Sequence, residues 1–93
     1  MAEKKTLTEK EHEELYSALV KIKTKEEAKD FLDDLLSRKE LESLSGRIHS
    51  AKLFLEGKTY AEVSQETTIS TATLARVKKC VKYGKGYNTI LKK

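Results

Sequence analysis

Four times in 93 residues the pattern Thr/Ser-x-x-Glu stands just ahead of a periodic apolar segment: Thr8 with Glu11, Thr24 with Glu27, Ser37 with Glu40, and Thr59 with Glu62. In each pair the hydroxyl can accept from an unpaired backbone N–H at a helix start, while the carboxylate reaches back to the capping residue's own N–H. The pattern marks four helix starts. Charged residues make up 37% and hydrophobic ones 38% of the chain, with no Pro and no Trp, a balance suited to amphipathic helices rather than a sheet sandwich or a disordered tail. The expected class is all-α, with five or six helices in one small domain spanning residues 1–93.

The first helix is expected from Leu7 to Ile22, with Leu15, Leu19 and Ile22 on one side. The second runs from Lys25 to Leu36, with Ala28, Phe31, Leu32 and Leu35. The third, Arg38 to Glu56, carries the cleanest stripe: Leu41, Leu44, Ile48, Ala51 and Leu55 alternate steps of three and four, and Gly57 supplies the stop. Leu53 and Phe54 add apolar surface beyond what one seam requires. That excess points to a dimer, although three such helices closing as a bundle give the same periodicity. Residues 1–57 are thus expected to form a helical dimerisation core.

The stretch from Lys58 to Tyr83 reads differently. A short helix over Tyr60–Glu66, anchored inward by Val63, is followed by the connection Thr67-Thr68-Ile69. Ser70 then caps a fifth helix that starts near Thr71. Leu74, Val77 and Val81 share one face of it and should pack inward, so Ala72, Ala75, Arg76, Lys79 and Tyr83 point the opposite way. Two short helices joined this closely make a helix-turn-helix over residues 58–83, whose second helix can lie in the major groove of DNA while the first braces it. Residues 84–93 read as a C-terminal tail or short helix.

Charge follows the same division. From Lys58 onward eight Lys and Arg face two acids, a local +6, whereas residues 1–57 carry 11 bases and 13 acids, or −2. On charge alone a basic helix is most simply a solvated face, but the side chains here suit nucleic acid. Ser70, Thr71 and Thr73 place hydroxyls and free N–H groups at a helix N-terminus, where phosphate oxygens are favoured. Ala72 and Ala75 let the helix sink into the groove, and an Ala methyl can meet a thymine methyl. Arg76 is suited to take guanine bidentately or to hold a phosphate; Lys78, Lys79 and Lys82 read as phosphate contacts, because a flexible ammonium acts as a point charge.

Other features are excluded or given plain roles. Cys80 has no partner thiol and no ligand-spaced neighbour, so a disulfide, a metal site and a redox sensor are not expected. His12 lies among Glu11, Glu13 and Glu14, and His49 near Arg47; neither supports catalysis. KYGKGY, with Tyr83 and Tyr87 flanking Gly84 and Gly86, reads as a helix exit held by aromatic packing rather than a phosphate loop, since the Lys-Ser/Thr pair of such a loop is absent. No cofactor, no metal and no enzyme activity are expected. No apolar run is long enough to cross a bilayer or serve as a secretory signal, which leads to the expectation of a cytoplasmic protein.

The run Ser37 to Tyr87, SRKELESLSGRIHSAKLFLEGKTYAEVSQETTISTATLARV followed by KKCVKYGKGY, resembles the tryptophan repressor superfamily, especially its small YerC/YecD-type branch. Arg47 on the long helix, the Leu-Glu-Gly exit ending at Gly57, the Ala72-Thr73 pair and Arg76 carry the resemblance. It implies an intertwined all-helical homodimer with two helix-turn-helix heads binding a two-fold DNA site. It also implies effector-binding positions at Arg47 and Arg76, which correspond to arginines lining the corepressor pocket. Two departures bear on that pocket: Val77 stands where the tryptophan repressor has Gly, and Cys80 where it has Ser one turn later. The added methyl groups should fill the space a flat ring needs, so tryptophan is not expected as corepressor. Thr68 stands where helix-turn-helix units often carry Gly, so a differently shaped turn is expected. The leading function is a sequence-specific DNA-binding transcriptional regulator, read as a repressor. The alternative is a protein-interaction module of a transcription complex without sequence-specific DNA binding.

Overall fold

The computed structural model describes residues 6–93, and all regular structure among them is helical, in agreement with the expected class. There are six helices: α1 (Leu7–Leu19), α2 (Lys25–Leu35), α3 (Arg38–Leu55), α4 (Tyr60–Glu66), α5 (Thr71–Tyr83) and α6 (Gly86–Leu91). They fall into two units, one up to Leu35 and one from Leu36 to the C-terminus. Residues 1–5 of the expected 1–57 core lie outside the described residues.

In the first unit, α1 begins two residues earlier than the Thr8–Glu11 pair suggests. Thr6 Oγ1 accepts from the Glu9 N–H at 3.1 Å and the Thr6 N–H donates to the Glu9 carboxylate at 3.0 Å. The same four-residue spacing occurs at both places, and the outer box adds two helical residues, so it prevails. The helix stops at Leu19 rather than Ile22. Beyond it, N–H groups of Lys21 and Ile22 donate to carbonyls three residues back, a tightened last turn that leaves Ile22 in the connection. Thr24 caps α2 through the Glu27 N–H at 3.0 Å, but the Glu27 carboxylate takes the Lys23 N–H, one residue before the cap. No described residue of α1 or α2 is buried, and Leu15, Leu19 and Leu35 keep 40–48% of their surface exposed. Ala18, Ala28, Phe31 and Leu32 are half-buried, so these two amphipathic helices keep only part of their apolar faces open.

The second unit is built on α3. Ser37 and Glu40 form the expected capping box, with bonds of 3.2 and 2.8 Å. At the other end Gly57 has φ +93°, the Lys58 N–H returns to the Leu53 carbonyl and the Gly57 N–H to that of Phe54. This is a Schellman stop, which needs the left-handed conformation that glycine adopts without penalty. The turn folds α4 and α5 back against the Ser50–Leu53 side of α3. Leu53, Val63 and Leu74 form the centre of the core, with Phe54, Tyr60 and Ile69 packed around it.

The expected stripe is covered unevenly. Of Leu41, Leu44, Ile48, Ala51 and Leu55, Ala51 alone is fully buried; Leu44 and Ile48 keep 37% and 47% of their surface. Leu53, outside the stripe, lies in the core instead. The chain reversal at Gly57 brings α4 and α5 onto the Leu53 side of α3, and the stripe opposite is covered in part, with Ala51 buried and Leu41 and Leu55 half-buried. Gly46 explains how closely the turn after α4 reaches α3: a Cβ there would collide with the Ile69 γ-methyl. Ser50 is fully buried in the same region, its Oγ donating to the Gly46 carbonyl at 2.7 Å. At the C-terminus α6 is a short helix tied down by Asn88, whose Nδ2 donates to the carbonyls of Val81 at 2.7 Å and Gly84 at 3.3 Å.

Candidate nucleic-acid interface

The candidate site begins at α4. Its N-terminus is closed by Thr59 and Glu62, with Thr59 Oγ1 accepting from the Glu62 N–H at 3.2 Å and the Glu62 carboxylate accepting the Thr59 N–H at 2.9 Å. That backbone donor, aided by the Thr59 hydroxyl and the nearby Lys58 charge, holds Glu62 below the ordinary carboxylate pKa. Lys58 and Glu66 face each other at 3.7 Å across the length of the helix. Val63 is fully buried, as its position predicts.

The turn that follows contains no residue with positive φ; Thr67 is extended at φ −132°, ψ 163°. Thr68 therefore fits without strain, and the turn differs from the glycine-containing form as expected. Its anchor is apolar. Ile69 packs on the core and against Gly46, whereas the Thr67 hydroxyl oxygen is buried with no hydrogen-bond partner among the described residues.

Ser70 starts α5: its Oγ accepts from the Thr73 N–H at 3.2 Å and lies 3.0 Å from Thr73 Oγ1. Leu74 and Val77 are 1% and 2% exposed and point into the body, with Val81 half-buried one turn on. Ser70, Thr71, Ala72, Ala75, Arg76, Lys78, Lys79 and Lys82 are exposed, and Thr73 is half-buried. The helix thus presents two alanines and three hydroxyl residues toward its N-terminal end and cations from its middle onward. Such a face is shaped and charged for a polyanion with a groove.

Within this group the structure pairs some residues with protein partners. Lys78 Nζ lies over the rings of Tyr60 and Phe54 at 5.6 and 6.0 Å, and Lys82 Nζ over Tyr83 at 5.3 Å. Tyr83 itself is 73% exposed, on the outward side as predicted. Sequence reasoning missed Tyr60, whose hydroxyl donates to the Thr71 carbonyl at 3.1 Å. It also missed Lys39 and Ser43 of α3, which share a polar cleft with Thr68, Ser70 and Thr73. Neither has a signal in local periodicity, since both contacts are set by how the turn meets α3.

Arg47 on α3 and Arg76 on α5 are both exposed. An apolar cavity of about 450 Å³ beside Cys80 is walled by Ile48, Gly84, Tyr87, Ile90 and Leu91, not by either arginine. The residue following Arg76 is Val77, whose side chain is part of the packed interior. Among the described residues no cluster of three or more His, Cys, Asp or Glu is placed to hold a metal ion, and no helix is long and apolar enough to cross a membrane.

A family model described as Trp repressor protein matches residues 10–93. The chain belongs to this family. It is 41% identical over 75 residues to the uncharacterized protein YerC of Bacillus subtilis strain 168, covering 81% of this chain and 72% of that protein. Two solved structures are similar throughout. A TrpR-like protein of Eubacterium eligens ATCC 27750 matches at 37% identity with a TM-score of 0.76, over 86% of this chain and 84% of that one. A Staphylococcus aureus protein assigned as a Trp repressor matches at 38% identity with a TM-score of 0.80, over 95% and 93%. The expected superfamily and its YerC-type branch are borne out. The Trp repressor family is one of helix-turn-helix DNA-binding regulators, not of enzymes.

Proposed function

We propose that this Trp repressor family member is a sequence-specific transcriptional repressor that acts in the cytoplasm as a homodimer and blocks a two-fold operator by occupying it. The observation that supports this most directly is the division of α5, with Leu74 and Val77 buried and Ala72, Ala75, Arg76 and Lys79 open to solvent. Ala72 and Ala75 sit against base edges, and Arg76 reads a base or grips a phosphate beside them. Lys79 and Lys82 neutralise phosphates. Ser70, Thr71 and Thr73 set the position of the helix through phosphate oxygens.

The dimer is supported by the open apolar faces of α1, α2 and the Leu44–Ile48 side of α3, so that residues 1–57 supply the interface and residues 58–83 the reading head. Binding is independent of tryptophan. Val77 fills space that a flat ring would need beside Arg76 and Arg47, and saturable tryptophan uptake at micromolar levels in calorimetry would overturn this point.

Selection from a random DNA pool at stated salt, with a solution mass measurement, tests the whole proposal. The expected result is a dimer and a palindromic consensus with half-sites about 34–36 Å apart. Affinity should fall steeply with salt, and Arg76→Ala should cost about 1–3 kcal/mol and relax one position of the consensus. A uniform loss across sequences would place Arg76 on the backbone. Tight capture of a protein with no preference among DNA sequences would favour a protein-interaction module instead.

A further inference from the structure

Lys78 lies among the exposed cations of α5, yet its ammonium rests on protein. Its Nζ is 5.6 Å from the centroid of Tyr60 and 6.0 Å from that of Phe54, the range in which a cation is attracted to the negative face of a ring. The two rings lie 6.5 Å apart at an interplanar angle of 33°. Phe54 belongs to the last turn of α3, and Tyr60 is the first residue of α4. Tyr60 also donates its hydroxyl proton to the Thr71 carbonyl at 3.1 Å. A carbonyl oxygen has two lone pairs, so this bond adds to the helix ladder without displacing it. One cluster therefore joins the end of α3, the start of α4, and both the first turn and the middle of α5.

We propose that Tyr60 is a positioning residue, which together with Phe54 and Lys78 clamps the pitch of α5, and that the charge of Lys78 is used inside this clamp rather than on DNA. The inference rests on the DNA-reading function proposed above. Ile69, Leu74 and Val77 anchor α5 along its inward face, which leaves the roll of the helix about that line to be fixed from its flank. The hydroxyl bond at Thr71 and the Lys78 ammonium about two turns further on fix two points along α5, on the flank between its buried and outward faces. Base readout needs the outward side chains held to a fraction of an ångström, whereas phosphate attraction does not. The clamp should therefore govern discrimination among sequences and leave the salt-dependent, sequence-independent attraction alone.

The test uses the full chain, a duplex selected by the wild-type protein from a random pool, and a scrambled duplex of equal length. Tyr60→Phe keeps the ring and loses the hydroxyl; it should weaken binding to the selected duplex about three- to tenfold, and leave the scrambled duplex and the salt slope unchanged. Lys78→Met, which keeps a long side chain over the rings, should give the same pattern. Lys79→Met should instead lower the slope of log K against log salt by about 0.9 on both duplexes. In the free protein, amide hydrogen exchange at Leu74 and Ala75 should be faster in Tyr60→Phe than in wild type. The proposal is overturned if Lys78→Met flattens the salt slope as Lys79→Met does, if Tyr60→Phe weakens both duplexes equally, or if the exchange rates do not change. Should the wild-type chain select no duplex, the DNA-reading function falls, while amide exchange still decides whether the clamp exists.

Discussion

Replacing Gly46 with Ala ought to stabilise an ordinary helix, because glycine in a helix interior costs about 1 kcal/mol relative to alanine. In α3 the sign should reverse. The new Cβ would collide with the γ-methyl of Ile69, which branches directly from the Ile69 Cβ and cannot swing clear without changing a χ1 that the core also constrains. Overpacking of this kind costs about 1–3 kcal/mol, so the net effect of Gly46→Ala should lie between about 0 and 2 kcal/mol destabilising. Removing the obstacle gives the decisive comparison. In an Ile69→Ala background the same substitution should stabilise by about 1 kcal/mol, which makes the coupling between the two sites about 1–3 kcal/mol. Urea denaturation of the four proteins at one fixed concentration measures this, the fixed concentration being essential if the chain dimerises. If Gly46→Ala stabilises the native sequence by about 1 kcal/mol, or if the coupling is below about 0.5 kcal/mol, then Gly46 is not the reason the turn can sit against α3. The consequence reaches the interface, since Ile69 immediately precedes the Ser70 cap of α5.

Leu74→Ala should cost about 2–5 kcal/mol in denaturant unfolding, because the side chain is 1% exposed at the centre of the core; a loss under 1 kcal/mol would mean that α5 is not anchored there. Ile48→Glu should convert the proposed dimer to a monomer in sedimentation while leaving helix content intact, since Ile48 is 47% exposed within one chain; an unchanged mass would remove this side of α3 from the interface. Glu40 and Glu62 are both held below the ordinary carboxylate pKa, first by backbone N–H donors at Ser37 and Thr59. Their caps should contribute fully above the unfolded carboxylate value and be lost as pH falls through the lowered folded values. An acid titration followed by circular dichroism should therefore show a shallower decline for the Glu40→Gln/Glu62→Gln double variant than for wild type, and identical profiles would argue against the effect.

Local chemistry made much of this molecule legible. The boxes at Ser37 and Thr59, the stop at Gly57, the cap at Ser70 and the inward trio on α5 depend on residues three to five apart, and each appears where the spacing puts it. Thr6 and Thr8 illustrate the limit of such patterns, since two boxes in overlapping register compete and the longer helix wins. The stripe on α3 shows a different limit. Periodicity says that Leu44, Ile48 and Leu55 share a side but not what covers that side, and the cover is decided by a chain reversal at Gly57 and by contacts between residues far apart in sequence. Gly46 against Ile69 and Tyr60 against Thr71 belong to that second kind. A mid-helix glycine and an aromatic residue at a helix start are visible in the sequence, but their partners are not.

The long helix has two sides with different obligations, and this bears on how the proposed dimer would read DNA. Leu53 on one side packs on Val63 and Leu74, and through them holds α4 and α5; Leu44 and Ile48 on the opposite side keep 37% and 47% of their surface exposed. A packed helix moves as a rigid element, so a partner seated on one side fixes the orientation of the reading head carried on the other. In the proposed dimer, half-site spacing would then be set by α3 rather than by a flexible connection. The Schellman stop and the Lys78–Tyr60–Phe54 cluster sit where the chain passes from α3 into the head. It follows that substitutions at this joint, far from any base, should broaden the tolerated spacing between half-sites, whereas substitutions on the outward face of α5 should change which bases are preferred at fixed spacing.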